Sequence, residues 1–267
     1  MELKSIINNI SGGLKMQVKY KIYCTLLDTF QGWLSSSELW NEYWGFSDDP
    51  SKTEEEFEKE QLQSLINRIN RVPLPWEDSE AADRGTAFNE VIDCLIAGRK
   101  SDKMEMVSNK ETGLIQVSYN KRIFYFPIAL CREFAEYYKN AVSQVYVEAT
   151  LPTKYGDVLL YGYIDELMPS SVHDIKTTSK YKAGKFRNNW QHIVYPYCLI
   201  ENGNNVSEFE YNVAMFGSGN FYSSFTEHYR YIPEKDLPRL ITVVENLIDF
   251  IESNRNLITD EKIFNEL

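Results

Sequence analysis

Apolar side chains recur at intervals of three and four residues in several parts of the chain. After Thr25, a residue type that caps helices, Leu26, Phe30 and Trp33 follow at this spacing, so a helix with an apolar stripe is predicted to begin there. The Glu-rich part of 47–62 is typical of a solvated helix. Further helices are predicted at 83–98, 128–141, 188–199 and 236–254.

Between these helices, alternating polar and apolar residues predict β-strands. Residues 114–127 indicate a β-hairpin that turns at Asn120 and Lys121. Three strands joined by short turns then predict an antiparallel meander, and two later strands follow it. These strands are predicted at 144–152, 158–168, 172–178, 206–216 and 221–231. Helices and strands mixed in this way predict an α/β (α+β) fold.

The length and composition indicate one soluble domain with insertions. The chain has 267 residues, 43% hydrophobic and 25% charged, which is enough for one substantial core. We expect a single domain over 1–267, with an N-terminal helical part at 1–82, a core at about 83–230 and a C-terminal helix at about 235–255. There is no run of about 18 apolar residues and no signal-type leader at Met1, so we expect a cytoplasmic protein with no membrane partner.

The charge balance restricts how the chain could bind nucleic acid. Its 28 basic and 39 acidic residues give a net charge of −11, which is the wrong sign for a broad basic face. Any contact with nucleic acid must therefore be local, assisted by a metal ion, or both. One local cluster of basic side chains is present, at Lys176, Lys180, Lys182, Lys185 and Arg187.

The cysteines and the familiar catalytic motifs point to no other chemistry. The four cysteines are widely separated and form no C-x-x-C pair, so neither a compact zinc site nor a disulfide framework is indicated, and buried reduced thiols are predicted. The chain contains no H-E-x-x-H, no P-loop and no G-x-S-x-G pattern. The sequence therefore gives no support to a zinc enzyme, a nucleotide-binding enzyme or a serine hydrolase.

Two acidic residues and a lysine in the predicted meander form the strongest candidate site. Asp165 lies at the end of one strand, and Asp174 and Lys176 lie on the next. Because side chains alternate along a strand, Asp174 and Lys176 should point to one face, and His173 and Ile175 to the other. A Mg²⁺ ion takes one or two carboxylate ligands, and a nearby lysine can stabilise developing charge. The set suits phosphodiester hydrolysis, although an Asp-x-Lys pair on an exposed strand is also common as plain surface charge.

The context of these residues resembles a known family. In order, the chain contains GTAFN, VE, GYID, DIK and a Q-x-x-x-Y segment within 85–195. This order is similar to that of the PD-(D/E)xK nucleases, specifically the RecB-type exonuclease branch, which includes many phage-encoded nucleases. Residues 25–28, at the start of the first helix, are more weakly similar. The resemblance implies a restriction-endonuclease-like core, with a central mixed β-sheet flanked by helices.

The resemblance also implies a function and its partners. It implies a metal-dependent DNA nuclease, in exonuclease form, that uses Mg²⁺ or Mn²⁺ to activate water. Its partners would be DNA and a recombination or replication protein, in the cytoplasm of a bacterium or of a phage-infected host. Insertions at 47–82 and 99–127 could enclose the site, and so decide between cleavage from an end and internal cleavage.

The family pattern assigns metal-binding and catalytic roles to four residues of the meander. Asp165 and Asp174 match the two metal-binding carboxylates of the family. The backbone carbonyl of Ile175 matches a further metal ligand, and Lys176 matches the catalytic lysine. These roles agree with the chemistry that the residue types alone suggest.

Residues around this set match the supporting parts of the family pattern. Gln191 and Tyr195 match the Q-x-x-x-Y motif, which lies on a helix, shapes the site and contacts DNA. Glu148 resembles an acidic residue on the preceding strand that supports the metal through water, with plain surface charge as the alternative. Phosphate contacts are expected from Lys180, Lys182, Lys185 and Arg187.

Asn89 departs from the family pattern, because the branch commonly has a metal-binding histidine there. An amide oxygen still coordinates a hard cation, but it is neutral and does not titrate. Together with the net charge of −11, Asn89 motivates an alternative function, a catalytically weak or inactive DNA-binding or interaction module. A degenerate site would have lost part of the Asp, Asp, Lys set, which this chain keeps.

The cysteines allow one further expectation from the resemblance. Some relatives carry an iron–sulfur cluster on one early cysteine and three clustered late ones. Cys24 could be the first of these, but the last cysteine is Cys198 and no late trio follows it. We therefore expect no iron–sulfur cluster.

Replacing Asn89 with histidine should strengthen metal binding. Because an imidazole is a stronger ligand than a neutral amide for Mn²⁺, Asn89→His should lower the Mn²⁺ dissociation constant relative to the wild-type protein. Isothermal titration calorimetry with Mn²⁺ and with Mg²⁺ measures the dissociation constant of each ion for the variant and for the wild-type protein. An unchanged affinity for both ions would exclude Asn89 from the metal site.

Overall fold

A mixed sheet of six strands forms the centre of the molecule. The computed structural model describes residues 18–218 and 221–264. Its strands are β1 (Tyr20–Tyr23), β2 (Glu105–Asn109), β3 (Leu114–Tyr119), β4 (Arg122–Pro127), β5 (Val142–Thr153), β6 (Gly156–Leu167), β7 (Ser171–Thr178), β8 (Glu208–Phe216) and β9 (Tyr222–Arg230). The central sheet has the order β1-β6-β7-β8-β9, with β5 paired to β6. The predicted α+β class, with a central mixed sheet flanked by helices, is confirmed.

The helices occupy both sides of this sheet. They are α1 (Cys24–Leu34), α2 (Ser36–Trp44), α3 (Glu54–Ile69), α4 (Glu80–Ala97), α5 (Ile128–Tyr137), α6 (Gln191–Glu201) and α7 (Pro233–Ser253). Short 3₁₀ turns lie at Trp76–Asp78, Arg255–Leu257 and Glu261–Ile263. Within the residues that the structure describes, each helix is too short or too polar to span a membrane.

The predicted meander is present as β5, β6 and β7. β5 pairs with one edge of β6, whereas β7 and β1 both pair with the other edge. β5 pairs antiparallel with β6 along almost its whole length. β1 pairs in parallel with residues 158–161 of β6, and β7 pairs antiparallel with residues 166 and 167. Because β5 occupies one edge of β6, β1 and β7 must share the other. That edge is left without a strand partner at residues 162–165, where β6 and β7 diverge.

A smaller antiparallel sheet, in the order β2-β3-β4, lies on one side of the central sheet. Its β3–β4 hairpin turns at Asn120 and Lys121, which have φ angles of 46° and 61°, as a type I′ turn requires. The predicted hairpin is confirmed. β2 was not predicted, because four of its five residues are exposed and it lacks an apolar face.

Two apolar cores separate the layers. The larger one lies between the central sheet and α1, α6 and α7. The second lies between α4, α5 and the small sheet, and the central sheet contributes Ile175 and Ala214 to it, from β7 and β8. No residue of β5 or β6 belongs to the second core. On this second face of the central sheet, β7 and β8 are therefore covered, whereas β5 and β6 lack an apolar cover.

Helix boundaries differ from the sequence prediction mainly near the N-terminus. The part at 1–82 contains β1 as well as helices, and β1 runs directly into α1, so Tyr23 rather than Thr25 holds the N-cap position. α3 begins inside the acidic run at 47–62 and continues past it as one helix. It starts with a capping box between Thr53 and Glu56. α7 begins at Pro233, a residue type suited to the first helical turn.

Gly162 on β6 allows α6 to approach the central sheet closely. A Cβ atom at this position would lie 2.7 Å from Cε1 of Tyr195, a ring that is only 5% exposed. A buried aromatic ring has little room to move away. The close approach fixes the distance between α6 and the open edge of β6.

Replacing Gly162 with alanine should therefore destabilise the fold. We expect Gly162→Ala to lower the free energy of unfolding by about 1–3 kcal/mol, as for other overpacked core sites. Urea denaturation measures the change. Gly32→Ala in α1 is the matched control, since its Cβ would meet nothing closer than 3.9 Å and a helical Gly→Ala change is favourable. Equal stability of Gly162→Ala and the wild type would show that the contact is not tight.

Candidate active site

β6 and β7 diverge along residues 162–165 of β6. The space between the two strands is here called the fork, and Asp165 lies in it. The backbone N–H of Ile175 donates a hydrogen bond to Asp165 Oδ2 at 2.9 Å. The N–H and the C=O of one strand residue point to the same edge of the strand. The carbonyl of Ile175 therefore also points into the fork, as the role predicted for it requires.

An irregularity in β5 and β6 turns Asp165 toward the open edge of β6. Residues 164 and 167 of a regular strand point to opposite faces, yet Ile164 and Leu167 both belong to the larger core. The alternation is therefore interrupted between them, at Asp165. Opposite Asp165 on β5, Gln144 has a left-handed φ of 56°, and the regular pairs resume on either side. Such irregularities re-aim side chains near functional sites.

Asp174, Lys176 and Gln191 form a closed polar network beside the fork. Gln191 is the first residue of α6, and its side-chain amide N–H donates to Asp174 Oδ1. Lys176 Nζ donates to Gln191 Oε1 at 2.7 Å and lies 2.7 Å from Asp174 Oδ2. As the alternation predicted, Asp174 and Lys176 lie on the same face, while His173 packs against the Tyr138 ring on the other.

The electrostatics of the fork reflect two carboxylates held close together. Burial raises the pKa of Asp165 above the ordinary range, and the neighbouring Asp174 carboxylate raises it further. Burial disfavours the charged form of Lys176, but the Asp174 and Asp165 carboxylates outweigh this and raise the lysine's pKa. Lys176 is therefore cationic, and 25% of its side chain is exposed, so a phosphate group can reach it.

One buried oxygen in the fork lacks the hydrogen bond that buried oxygens normally have. In the described part of the chain, Asn89 Oδ1 has no hydrogen-bond partner, whereas Asp174 Oδ2 has the Lys176 ammonium at 2.7 Å. Asn89, on α4, lies beside Asp165, and its side chain favours the charged form of that carboxylate and so lowers its pKa. A buried oxygen without a partner is costly, and a hard cation would satisfy it.

The residues present therefore fit a hard divalent cation. Asp165, Asp174, the amide oxygen of Asn89 and the carbonyl of Ile175 would hold it. No group of three or more His, Cys, Asp or Glu side chains within residues 18–218 and 221–264 is arranged to bind a metal. Two carboxylates are nevertheless the number that Mg²⁺ usually takes from a protein, with water and substrate phosphate as its other ligands.

Of the other predicted site residues, Tyr195 lies near the fork and Glu148 lies far from it. Tyr195 lies one helical turn after Gln191, and its buried ring packs on Gly162 at the open edge. Glu148 pairs in register with Tyr161, four residues from Asp165 along β6, which is roughly 13 Å at the usual strand rise. The structure thus brings Tyr195 to the fork but does not bring Glu148 there.

The predicted phosphate-binding residues lie between β7 and α6, beyond the end of the strand that carries Lys176. All four are exposed: Lys180, Lys182, Lys185 and Arg187. Lys185 is tied to the end of β7 through Thr178 Oγ1 at 2.6 Å. Lys182 Nζ lies 3.2 Å from Glu42 of α2. These cations border the fork without entering its hydrogen-bond network.

Sequence reasoning missed three acidic residues around the fork. The Asp28 carboxylate accepts a hydrogen bond from the backbone N–H of Trp190 at 2.7 Å, just before α6, and burial raises its pKa to about 6. Asp93 and Glu166 lie close together, and burial raises the pKa of both carboxyl groups. The weak similarity at 25–28 was the one signal for Asp28.

Comparison with known proteins does not assign the chain to a family. No protein-family model matches it, and no curated protein does. Among solved structures, SSO0001 is similar with a TM-score of 0.42 and 11% identity, over 93% of this chain and 84% of that one. A "Putative exonuclease" from Eubacterium rectale is similar with a TM-score of 0.42 and 14% identity, over 73% of this chain and 74% of that one. These likenesses are too low to bear on the chemistry of the fork.

Removing the Asp165 charge should stabilise the metal-free protein. Its folded-state pKa is raised, so the protonated form is favoured, and this stability is lost as the pH rises through the folded-state pKa. In EDTA at pH 8, Asp165→Asn should raise the free energy of unfolding by about 1–2 kcal/mol, and the gain should vanish as the pH falls toward about 4. Urea denaturation across this range measures it.

The exposed Asp102 provides the matched control for this prediction. Asp102→Asn should leave the stability unchanged at every pH, because an exposed carboxylate is well solvated. If Asp165→Asn is instead less stable than the wild type at pH 8, the two carboxylates of the fork do not repel each other as described.

Proposed function

We propose that this protein is a metal-dependent DNA nuclease that hydrolyses phosphodiester bonds by direct attack of water, with no covalent enzyme intermediate. The observation that supports this most strongly is the fork, where Asp165, Asp174 and Lys176 converge and the buried amide oxygen of Asn89 lacks a hydrogen bond within the described residues. Mg²⁺ or Mn²⁺ is the proposed cofactor. When bound, such an ion polarises the phosphodiester and lowers the pKa of a water molecule.

The hydrogen bonds around Lys176 suit it to act on a phosphate. Gln191 accepts from the ammonium and donates to Asp174, so the amide fixes the relative positions of the cation and the carboxylate. A cation held in advance at the place where negative charge develops stabilises the transition state without further reorganisation. Lys176 can fill this role because it keeps its charge and part of its side chain is exposed.

A purely structural ion pair explains the fork less well. A buried structural pair normally has its remaining oxygens satisfied by other donors, because unpaired ones are costly. Here the amide oxygen of Asn89 has no partner within the described residues, and burial and the Asp174 carboxylate keep the pKa of Asp165 raised even though Lys176 lies beside them. The alternative function, a weak or inactive DNA-binding or interaction module, rests on the neutral Asn89 and the net charge of −11, and the cleavage experiment below decides it.

The resemblance to the RecB-type branch supports exonuclease action and a recombination or replication protein as a partner. DNA is the proposed substrate, with phosphate contacts from Lys180, Lys182, Lys185 and Arg187. Linear and covalently closed circular DNA separate the two modes of cleavage. An exonuclease degrades only the linear form, whereas an endonuclease also cuts the closed circle.

Loss of the fork residues should abolish cleavage. Purified protein with Mg²⁺ or Mn²⁺ should degrade linear DNA, and Asp174→Ala or Lys176→Ala should each lower the rate by at least roughly 100-fold, as for other groups that stabilise transition-state charge. EDTA should stop the wild-type reaction. Gel electrophoresis of end-labelled DNA measures all of these rates.

Lys139→Ala is the matched control, because Lys139 is exposed, pairs with Glu136 and lies outside the fork. Its rate should equal that of the wild type. If the wild-type protein cleaves no DNA with either ion, or if both fork variants cleave at the wild-type rate, the nuclease proposal is wrong. Binding of DNA without cleavage would favour the inactive module.

A further inference from the structure

Three tyrosines form a continuous aromatic surface on the second face of the central sheet, here called the tyrosine floor: Tyr146, Tyr161 and Tyr163. Tyr23 borders the floor, but it is half-buried and packs against the larger core. Tyr146 and Tyr163 stand opposite each other on β5 and β6, with ring centroids 5.2 Å apart. Tyr161 lies 6.5 Å from Tyr146 and 5.9 Å from Tyr23. The rings are therefore held by a rigid sheet and by one another.

The floor is open to solvent because α4, α5 and the small sheet cover β7 and β8 on this face but do not cover β5 and β6. The apolar core formed by α4, α5 and the small sheet includes residues of β7 and β8 but none of β5 or β6. Tyr163 is 58% exposed and Tyr146 is 38% exposed. A cluster of exposed aromatic rings at one place is typical of a binding surface rather than of an ordinary protein exterior.

The floor meets the fork at Asp165, from the face of the sheet opposite to Asp174 and Lys176. Tyr161, Tyr163 and Asp165 follow one another at every second position of β6, each step being roughly 6.6 Å at the usual strand rise. A strand of nucleic acid whose phosphate lies at Asp165 would therefore have its next bases over Tyr163 and Tyr161. Arg71 lies at the end of the floor that is farther from Asp165. Its guanidinium lies over the Tyr23 ring and donates to the Tyr161 hydroxyl at 3.0 Å.

The chemistry of the floor selects unpaired bases. Stacking on aromatic rings requires an accessible base face, which a single strand offers and the interior of a duplex does not. The floor has few cations, and Arg71 is itself paired with Asp260 at 3.0 Å, so attraction for a duplex backbone is weak here. A hydroxyl at the tip of each ring keeps such a surface wettable, which suits a polar ligand better than an apolar protein segment.

We propose that the tyrosine floor binds the unpaired bases of a single-stranded DNA segment whose phosphate backbone enters the fork at Asp165. This inference rests on the proposed nuclease function for the position of the phosphate, but the binding itself requires neither metal nor cleavage. It makes single-stranded DNA, or the unpaired end of a duplex, the substrate class.

Binding in EDTA tests the floor separately from catalysis. Fluorescence anisotropy with labelled oligothymidylate (dT20) and with a blunt hairpin duplex should show tighter binding of dT20 by the wild-type protein. Tyr163→Leu and Tyr146→Leu should each weaken dT20 binding by roughly 5- to 100-fold, the usual effect of removing a stacking ring. Tyr163→Phe keeps the ring and should bind as the wild type does.

The matched control is Tyr125→Leu. Tyr125 is a 56% exposed tyrosine on β4, in the other sheet, and its loss should leave dT20 affinity unchanged. Thermal unfolding of every variant confirms that it is folded. The inference is overturned if the wild type binds dT20 no more tightly than the duplex, or if both floor variants keep wild-type affinity.

Comparison with the cleavage assay separates the two proposals. If the wild type cleaves DNA but the floor variants bind dT20 normally, the nuclease proposal stands and the floor proposal fails. If dT20 binding depends on Tyr163 and Tyr146 but no ion supports cleavage, the floor proposal stands and the nuclease proposal fails. Capture of a protein partner by the floor, with no dT20 binding, would also overturn the inference.

Discussion

The structure depends on the incomplete pairing of β6 with β7. The two strands share just two residue pairs before they diverge, and β1 takes up the same edge of β6 further back. The gap leaves backbone groups of β7 free to bond a side chain instead of a strand, as the Ile175 N–H does with Asp165. A fully paired sheet would use these groups in its ladder, and Asp165 would have no such partner.

The helices around the gap hold the polar groups that fill it. α6 starts there with Gln191, fixed to the sheet by the contact between Tyr195 and Gly162, and Asp28 of α1 accepts the N–H of Trp190 just before it. α4 reaches the gap from the other face with Asn89. The arrangement holds two neighbouring carboxylates and the unpartnered oxygen of Asn89 in a rigid frame, a cost that is typical of functional sites.

Much of this was predictable from the sequence, because periodicity reports local structure. The meander, the hairpin at Asn120 and Lys121 and the shared face of Asp174 and Lys176 follow from alternation and turn chemistry. The divergence of β6 and β7 and the left-handed Gln144 do not, since they depend on which distant strands compete for an edge. For the same reason Glu148, on an adjacent strand in sequence, lies too far along the sheet to reach Asp165.

The charge of the region bears on the neutral Asn89. Within the described residues, Asp165 and Asp174 lie beside the Lys176 ammonium, and the carboxyl groups of Asp93 and Glu166 lie behind them. Asp28 adds further negative charge above its pKa of about 6. Among the described residues the fork therefore has an excess of acidic groups, which would attract a divalent cation with either a neutral or a charged side chain at position 89. On this basis an amide at position 89 would weaken metal binding without removing it, because the attraction comes mainly from the carboxylates.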